Sequence, residues 1–299
     1  NSNSAFGYKA LRANTTGHRN AAFGNNALIN NTSGNYNVAM GHQTLFSNTI
    51  GDFNIAIGDE ALYSNTTGSR NTAVGRGALL YNTTGYINSA FGSYALLNNT
   101  TGYGNSAFGR DSLKANTFGL NNSAFGVYAL TGNTTGVNNV AVGWGSLNAN
   151  TIGNYNTAVG YAALYSSTIA ASNTAVGYAA LQNTISGNSN SAFGLYALKA
   201  NTTNNNSAFG FEALKANTVW STGVKNPTYL ISSLQLNAFR KGEEVHQEED
   251  IEAEKGAYFL TTDIFLEKGA SKEWMIVANV HQNHSNIAKL SKQIREDSS

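Results

Sequence analysis

Apolar and polar positions along most of this chain recur with a period of seventeen, far longer than the period of an amphipathic helix or of one alternating strand. Taking Asn as its first position, the unit restarts at Asn3, Asn20 and Asn37, and so on to Asn190. The last copy follows after sixteen residues, at Asn206. The thirteen copies read approximately N-x-A-[FVIM]-G-x-x-[AST]-L-x-x-N-T-x-G-x-x. The third position is Ala from Ala5 to Ala208, the fifth Gly from Gly7 to Gly210 and the ninth Leu from Leu11 to Leu214. The fourth is always apolar but varies in size, as in Phe6, Met40, Val74 and Phe193.

Seventeen residues are too few for a helix pair or a four-stranded propeller blade, and they suit one turn of a β-solenoid with a short strand and tight corners. The pattern therefore predicts an all-β fold, a parallel β-solenoid of thirteen coils over residues 1–219. At about 4.8 Å per coil it would be a rod of roughly 60 Å. Gly7 and its equivalents would supply a backbone conformation or close approach that a Cβ forbids, and N-T-x-G a polar turn. The large fourth residue and the Leu are expected to fill the interior. Stacking would set Asn14, Asn31, Asn48, Asn65, Asn82, Asn99 and Asn116 in an amide ladder.

Two surfaces follow as candidates for contact. A row of Ala in every coil (Ala5, Ala22, Ala39, Ala56, Ala73, Ala90, Ala107, Ala124), with small residues also at the eighth position (Ala10, Ala27, Thr44, Ala61), would be smooth enough for another chain to approach closely. The sixth position in coils eight to thirteen reads Val127, Trp144, Tyr161, Tyr178, Leu195 and Phe211, an apolar and aromatic stripe of the kind that marks contact with a partner or with sugar rings. A second row, Ile29, Phe46, Tyr63, Leu80 and Leu97, occupies the tenth position of coils two to six.

The strings NSAFG at 88–92 and NTAVG at 71–75 resemble the head repeats of YadA-type trimeric autotransporter adhesins. Similar runs occur in tail-fibre proteins of phages and related particles. The resemblance covers residues 1–219. It implies a left-handed parallel β-roll, three chains side by side, placed outside the cell on a cell surface or on a virion or injection-particle fibre. The partners it implies are two further copies, other fibre or particle subunits, and a surface glycan or receptor protein.

Composition agrees with a stacked, uncharged body. Only 12% of residues are charged, Asn occurs 43 times, and the 299 residues include one Pro and no Cys. A formal net charge of +1 gives no electrostatic case for nucleic acid or an anionic membrane. Without Cys there is no disulfide, thiolate metal site or thiol nucleophile. No apolar run is long enough to span a membrane, and the starting NSNSAFG has neither the basic nor the apolar region of a signal peptide.

After Asn217 the repeat stops and acidic residues become frequent. A linker is expected at 220–227, beginning at Trp220, and a small α+β unit at 228–299 that caps the solenoid and fixes chain association. Its strands would be 229–239, 257–267 and 273–280, and its helix 284–297, with Ile287, Leu290 and Ile294 at helical spacing. The acidic run 243–254 lacks the glycine and ligand spacing of a calcium loop, and His281 and His284, three apart, could approach one face of a helix start as metal ligands but read more simply as ordinary polar positions. Asp263 and Glu267 alternate as on any polar strand face.

No cofactor or metal is expected, and an enzymatic role is disfavoured. Asp52 with Asp59 and Glu60 offers the carboxylates of a fibre-borne glycosidase, against a general scarcity of acids. Pairs such as Gly75 with Gly77 and Gly143 with Gly145 are turn glycines without a strand-to-helix context. A recurrent Thr15, Thr32, Thr49, Thr66, Thr83 and Thr100 raises a third reading, ice binding by a regular hydroxyl array. The leading expectation is a rigid, trimeric attachment fibre.

Overall fold

In each repeat the segment after the first Asn has an extended residue on either side of an Ala, and this triplet is the only regular strand of the coil. The computed structural model describes residues 2–213, 218–222, 228–230, 259–261 and 275–279. The triplets run from β1 (Ser4–Phe6) to β13 (Ser207–Phe209) and form one parallel sheet of thirteen strands in chain order. Register sets each repeat position opposite its equivalent, as Ala90 opposite Ala107 and Phe91 opposite Phe108. The chain thus winds about twelve turns of a parallel β-solenoid with seventeen-residue spacing, and no helix occurs among the described residues.

Outside the sheet the coils are still joined by backbone hydrogen bonds. Leu79 N donates to Ala95 O at 3.0 Å and Tyr81 N to Leu97 O at 3.0 Å, and equivalent bonds recur along the stack. Neighbouring corners must therefore superimpose, and only a residue that fits the same backbone in every coil is tolerated. At Gly92, with φ 134°, a Cβ would lie 2.7 Å from both the carbonyl carbon and oxygen of Gly109, so the fifth position is Gly for lack of space as well as for its dihedral angle.

The ninth-position Leu residues lie in a buried row, Leu28 to Leu198, as the pattern predicted. Packed against them are the third-position Ala residues, and this corrects two expectations. Ala22, Ala39, Ala56, Ala73, Ala90, Ala107 and Ala124 are fully buried within their own chain, and so are Ala27, Thr44 and Ala61 of the eighth position. They cannot form an interchain face; the Ala is small because it faces Leu across a narrow interior. Ala5, in the first coil described, is exposed. The fourth position, expected inside, points outward: the strand burial pattern is inward only at its centre, as in Ser89–Phe91 and Val140–Val142. Strand alternation sends the second and fourth residues to the same side, opposite Ala.

The other half of the interior is polar. The twelfth-position Asn side chains form the expected ladder, each Nδ2 donating to the Oδ1 of the coil before, as Asn99 to Asn82 and Asn116 to Asn99, both at 2.8 Å. A second ladder, not anticipated, runs through the first position. Asn105 N donates to Asn88 Oδ1 at 3.0 Å, and Asn105 Nδ2 to Gly119 O at 2.8 Å. Both rows are buried, so these amides replace water for turn carbonyls that would otherwise be unsatisfied.

Besides the fifth-position Gly, three positions per coil have positive φ: the seventh, the ninth and the seventeenth. They include Leu79 (φ 53°), Tyr94 (φ 60°) and Ile87 (φ 55°). For a residue with a side chain this costs about 1–2 kcal/mol, offset at the ninth position by burying Leu, worth about 1.5–3 kcal/mol. Where the residue is exposed the cost has no such return. Ser172 (φ 59°) is exposed at a seventeenth position. Ser172→Gly should therefore raise stability by about 0.5–1 kcal/mol in urea titration. The same change at Ser166, which has no left-handed backbone, should lower it. Equal signs at the two sites would refute the strain.

The chain separates into two units, 1–213 and 214–299. In the second, β14 (Thr218–Thr222) pairs antiparallel with β17 (Met275–Asn279), and β15 (Thr228–Leu230) with β16 (Phe259–Thr261). β14 takes in Trp220, Ser221 and Thr222 of the expected linker; β15 overlaps the first expected strand segment but begins one residue before it, and β16 and β17 fall within the other two. The expected helix 284–297, the acidic run 243–254, His281, His284, Asp263 and Glu267 lie outside the described residues.

Candidate functional site

Three surfaces of the solenoid carry side chains in excess of what folding needs. The first is the outward sheet face. Its fourth-position row holds an apolar residue in every coil, and Phe91, Phe108 and Phe125 stack at 4.7 and 4.8 Å. At the second position Val38, Ile55 and Val140 add to it, among Ser and Thr. Identity register makes the rings stack, because like side chains one coil apart meet at the strand spacing.

The second surface is the sixth-position stripe, which does reach solvent. Gly at the fifth position ends the strand, and position six, at the corner that follows, points outward as position four does on the sheet. Trp144, Tyr161, Tyr178, Leu195 and Phe211 are exposed and Val127 is half-buried. Trp144 stacks on Tyr161 at 4.8 Å and Tyr161 on Tyr178 at 5.0 Å, while Tyr196 meets Tyr178 edge-on at 5.4 Å. Face-to-face stacking covers the ring faces within the ladder, leaving ring edges and hydroxyls outward. A sugar needs a free face, so this stripe is poorly built for stacking one. In the tenth-position row Phe46 stacks on Tyr63 at 4.9 Å and Ile29 is buried.

The third surface was not apparent from the sequence. At the turn that leads into each strand, positions sixteen and seventeen of coils three to five enclose an open hollow of about 350 Å³. Asp52, Phe53, Ser69, Arg70 and Tyr86 line it, with Thr67 and Thr84. It forms where two ladders break. Along position sixteen a side-chain oxygen accepts the backbone N–H of the coil before: His18 N to Asn35 Oδ1, Asn35 N to Asp52 Oδ1, Asp52 N to Ser69 Oγ. The next member is Tyr86, whose ring stacks on Tyr103 at 4.7 Å. Along position seventeen Arg19 lies over Tyr36, and Tyr36 stacks on Phe53 at 4.7 Å, where the stack stops.

Of the carboxylates named for hydrolysis, Asp52 and Asp59 lie on either side of the strand Ile55–Ile57 and are held by different partners. Asp52 Oδ1 accepts from Asn35 N and Nδ2 at 2.6 and 3.1 Å, at a turn before the strand. Asp59, after the strand, is engaged by His42 at 2.9 Å and Arg76 at 3.9 Å. Among the described residues no three His, Asp or Glu side chains gather as a metal site would require. Nor is the Thr row a free hydroxyl array: Thr83 Oγ1 donates to Thr100 O at 3.1 Å, and its equivalents do the same. The residue after it, which is exposed, varies from Thr to Ile50 and Phe118.

The fold and its surfaces define a β-solenoid repeat protein. No family model, no curated protein and no solved structure matches the chain.

Proposed function

We propose that the solenoid is a rigid shaft that associates with two copies of itself through its outward sheet face, and that the assembled fibre serves attachment. The observation that carries this reading is the fourth-position row: thirteen apolar side chains, none needed for the coil's own core, facing outward along the whole sheet. Apolar rows of that length on a soluble monomer are unusual, and an identical row on a second chain is complementary to it ring for ring. The number three, and a place outside the cell on a cell surface, a phage tail or an injection particle, come from the resemblance of NSAFG and NTAVG to trimeric adhesin heads.

Light scattering on the full chain tests the reading. The wild type should have three times the 31.6 kDa of one chain. Phe108→Asp, which places a charge in mid-row, should yield monomers with an unchanged far-ultraviolet spectrum, since Phe108 takes no part in the interior. A wild type that is monomeric at micromolar concentration rules out assembly through this face.

A further inference from the structure

We propose that the hollow at coils three to five binds a neutral hexopyranose through Phe53, Arg70 and Asp52. The inference deepens the attachment reading by giving the shaft a ligand class, but it does not depend on assembly through the sheet face.

The hollow exists because one coil is thin where its neighbours are thick. Coil four places Ser69 at position sixteen, between Asp52 of the coil before and Tyr86 of the coil after. Phe53, at position seventeen of coil three, and Tyr86, at position sixteen of coil five, lie two coil spacings of about 4.8 Å apart along the stack, with Ser69 and Arg70 of coil four at the level between them. The volume lies at the lower end of the range of about 300–1,000 Å³ usual for small-ligand sites.

Each polar group is left with capacity that the fold does not use. Phe53 is 50% exposed, and among the described residues no second ring covers the face opposite Tyr36. The Arg70 guanidinium has no ion pair and no aromatic partner among the described residues, unlike Arg19, Arg76 and Arg110, each of which lies over a Tyr. Asp52 turns Oδ1 to Asn35, and Oδ2 has no hydrogen bond among the described residues. Tyr86, 43% exposed, adds a phenol hydroxyl at the rim. A guanidinium fork and a carboxylate oxygen held apart from each other suit vicinal hydroxyls, which both donate and accept. The free ring face suits the axial C–H side of a pyranose. Because one cation and one anion line the hollow, its formal charge is zero, and an acidic sugar would bring its carboxylate toward that of Asp52.

The experiment is titration of the full chain with methyl glucoside, galactoside and mannoside, and with glucuronate, followed by saturation-transfer NMR and calorimetry. At least one neutral glycoside should saturate in the millimolar range, as expected for a single open hollow. Phe53→Ala and Arg70→Ala should each weaken it about tenfold or more, and Arg70→Lys, which keeps the charge but loses the fork, by a smaller factor. Tyr155→Ala, at a seventeenth position six coils on, should leave it unchanged. Circular dichroism of each variant establishes folding, and light scattering on the same samples reports assembly separately. A monomer that binds the glycoside retains the site and loses the trimer; an assembled fibre that binds no neutral glycoside overturns the site alone. Preference for glucuronate, or binding indifferent to both Phe53→Ala and Arg70→Ala, also overturns it.

Discussion

Leu79→Asp should be among the most damaging single changes available in the solenoid. Leu79 is fully buried, between Leu62 and Leu96 in the ninth-position row and against the Ala rows. The substitution forfeits about 1.5–3 kcal/mol of apolar burial. It also leaves a carboxyl group where no donor is within the apolar half of the interior, and an unpaired buried charge costs about 3–5 kcal/mol. A total on the order of 5 kcal/mol follows. Leu79→Ala, which makes only a cavity, should cost about 2–5 kcal/mol. Since each coil touches only its neighbours, the loss should appear first as faster amide exchange in the coils containing Leu62, Leu79 and Leu96. A loss in urea unfolding under about 1 kcal/mol would show that the row is not the core.

Asn99→Asp should have an effect of similar size with a pH signature. Asn99 Nδ2 donates to Asn82 Oδ1 at 2.8 Å and Gly102 O at 2.9 Å, while its Oδ1 accepts from Asn116 Nδ2 at 2.8 Å. A carboxylate keeps the acceptor but sets a charged oxygen against two other acceptors in a site closed to water. The cost at neutral pH should be about 3–5 kcal/mol. Protonation restores one donor, so the introduced carboxyl titrates above the ordinary Asp value in the folded chain. Between the unfolded and folded values the native state holds more protons, so stability falls as pH rises. The deficit relative to wild type should therefore be smallest below the unfolded value and grow as pH rises through the folded one. Urea midpoints of both proteins at acidic and alkaline pH read this directly. A deficit that is constant, or larger in acid, would mean that the amide ladder does not hold the interior.

Both substitutions were legible in part from the pattern. The constancy of Leu at the ninth position marked a core row, and the spacing of Asn14, Asn31 and Asn48 marked an amide ladder, because in-register stacking follows from any fixed repeat in a parallel solenoid. The first-position ladder was hidden because Asn3 and its successors read equally well as turn residues. Left-handed Leu, Tyr and Ile were hidden for a deeper reason. Local preference assigns that conformation to Gly and Asn, and only hydrogen bonds to the adjoining coils, such as Leu79 N to Ala95 O, hold other residues in it. The hollow beside Phe53 depends on side chains seventeen and thirty-four residues apart, of which Ser69 is notable only by being small.

What the amino-acid order determined by itself was the period, the β-solenoid class and the Leu core. Each is a property of spacing, and spacing survives without coordinates. What only the tertiary structure decided was which way each row faces. An invariant Ala fits a tight contact between chains and a narrow interior equally well, and an apolar fourth position fits core and surface alike. Alternation relates the two rows but does not say which is inside. The choice was made by volume: the interior between the sheet and the Leu row admits Ala and excludes Phe, so the large side chains are left outside.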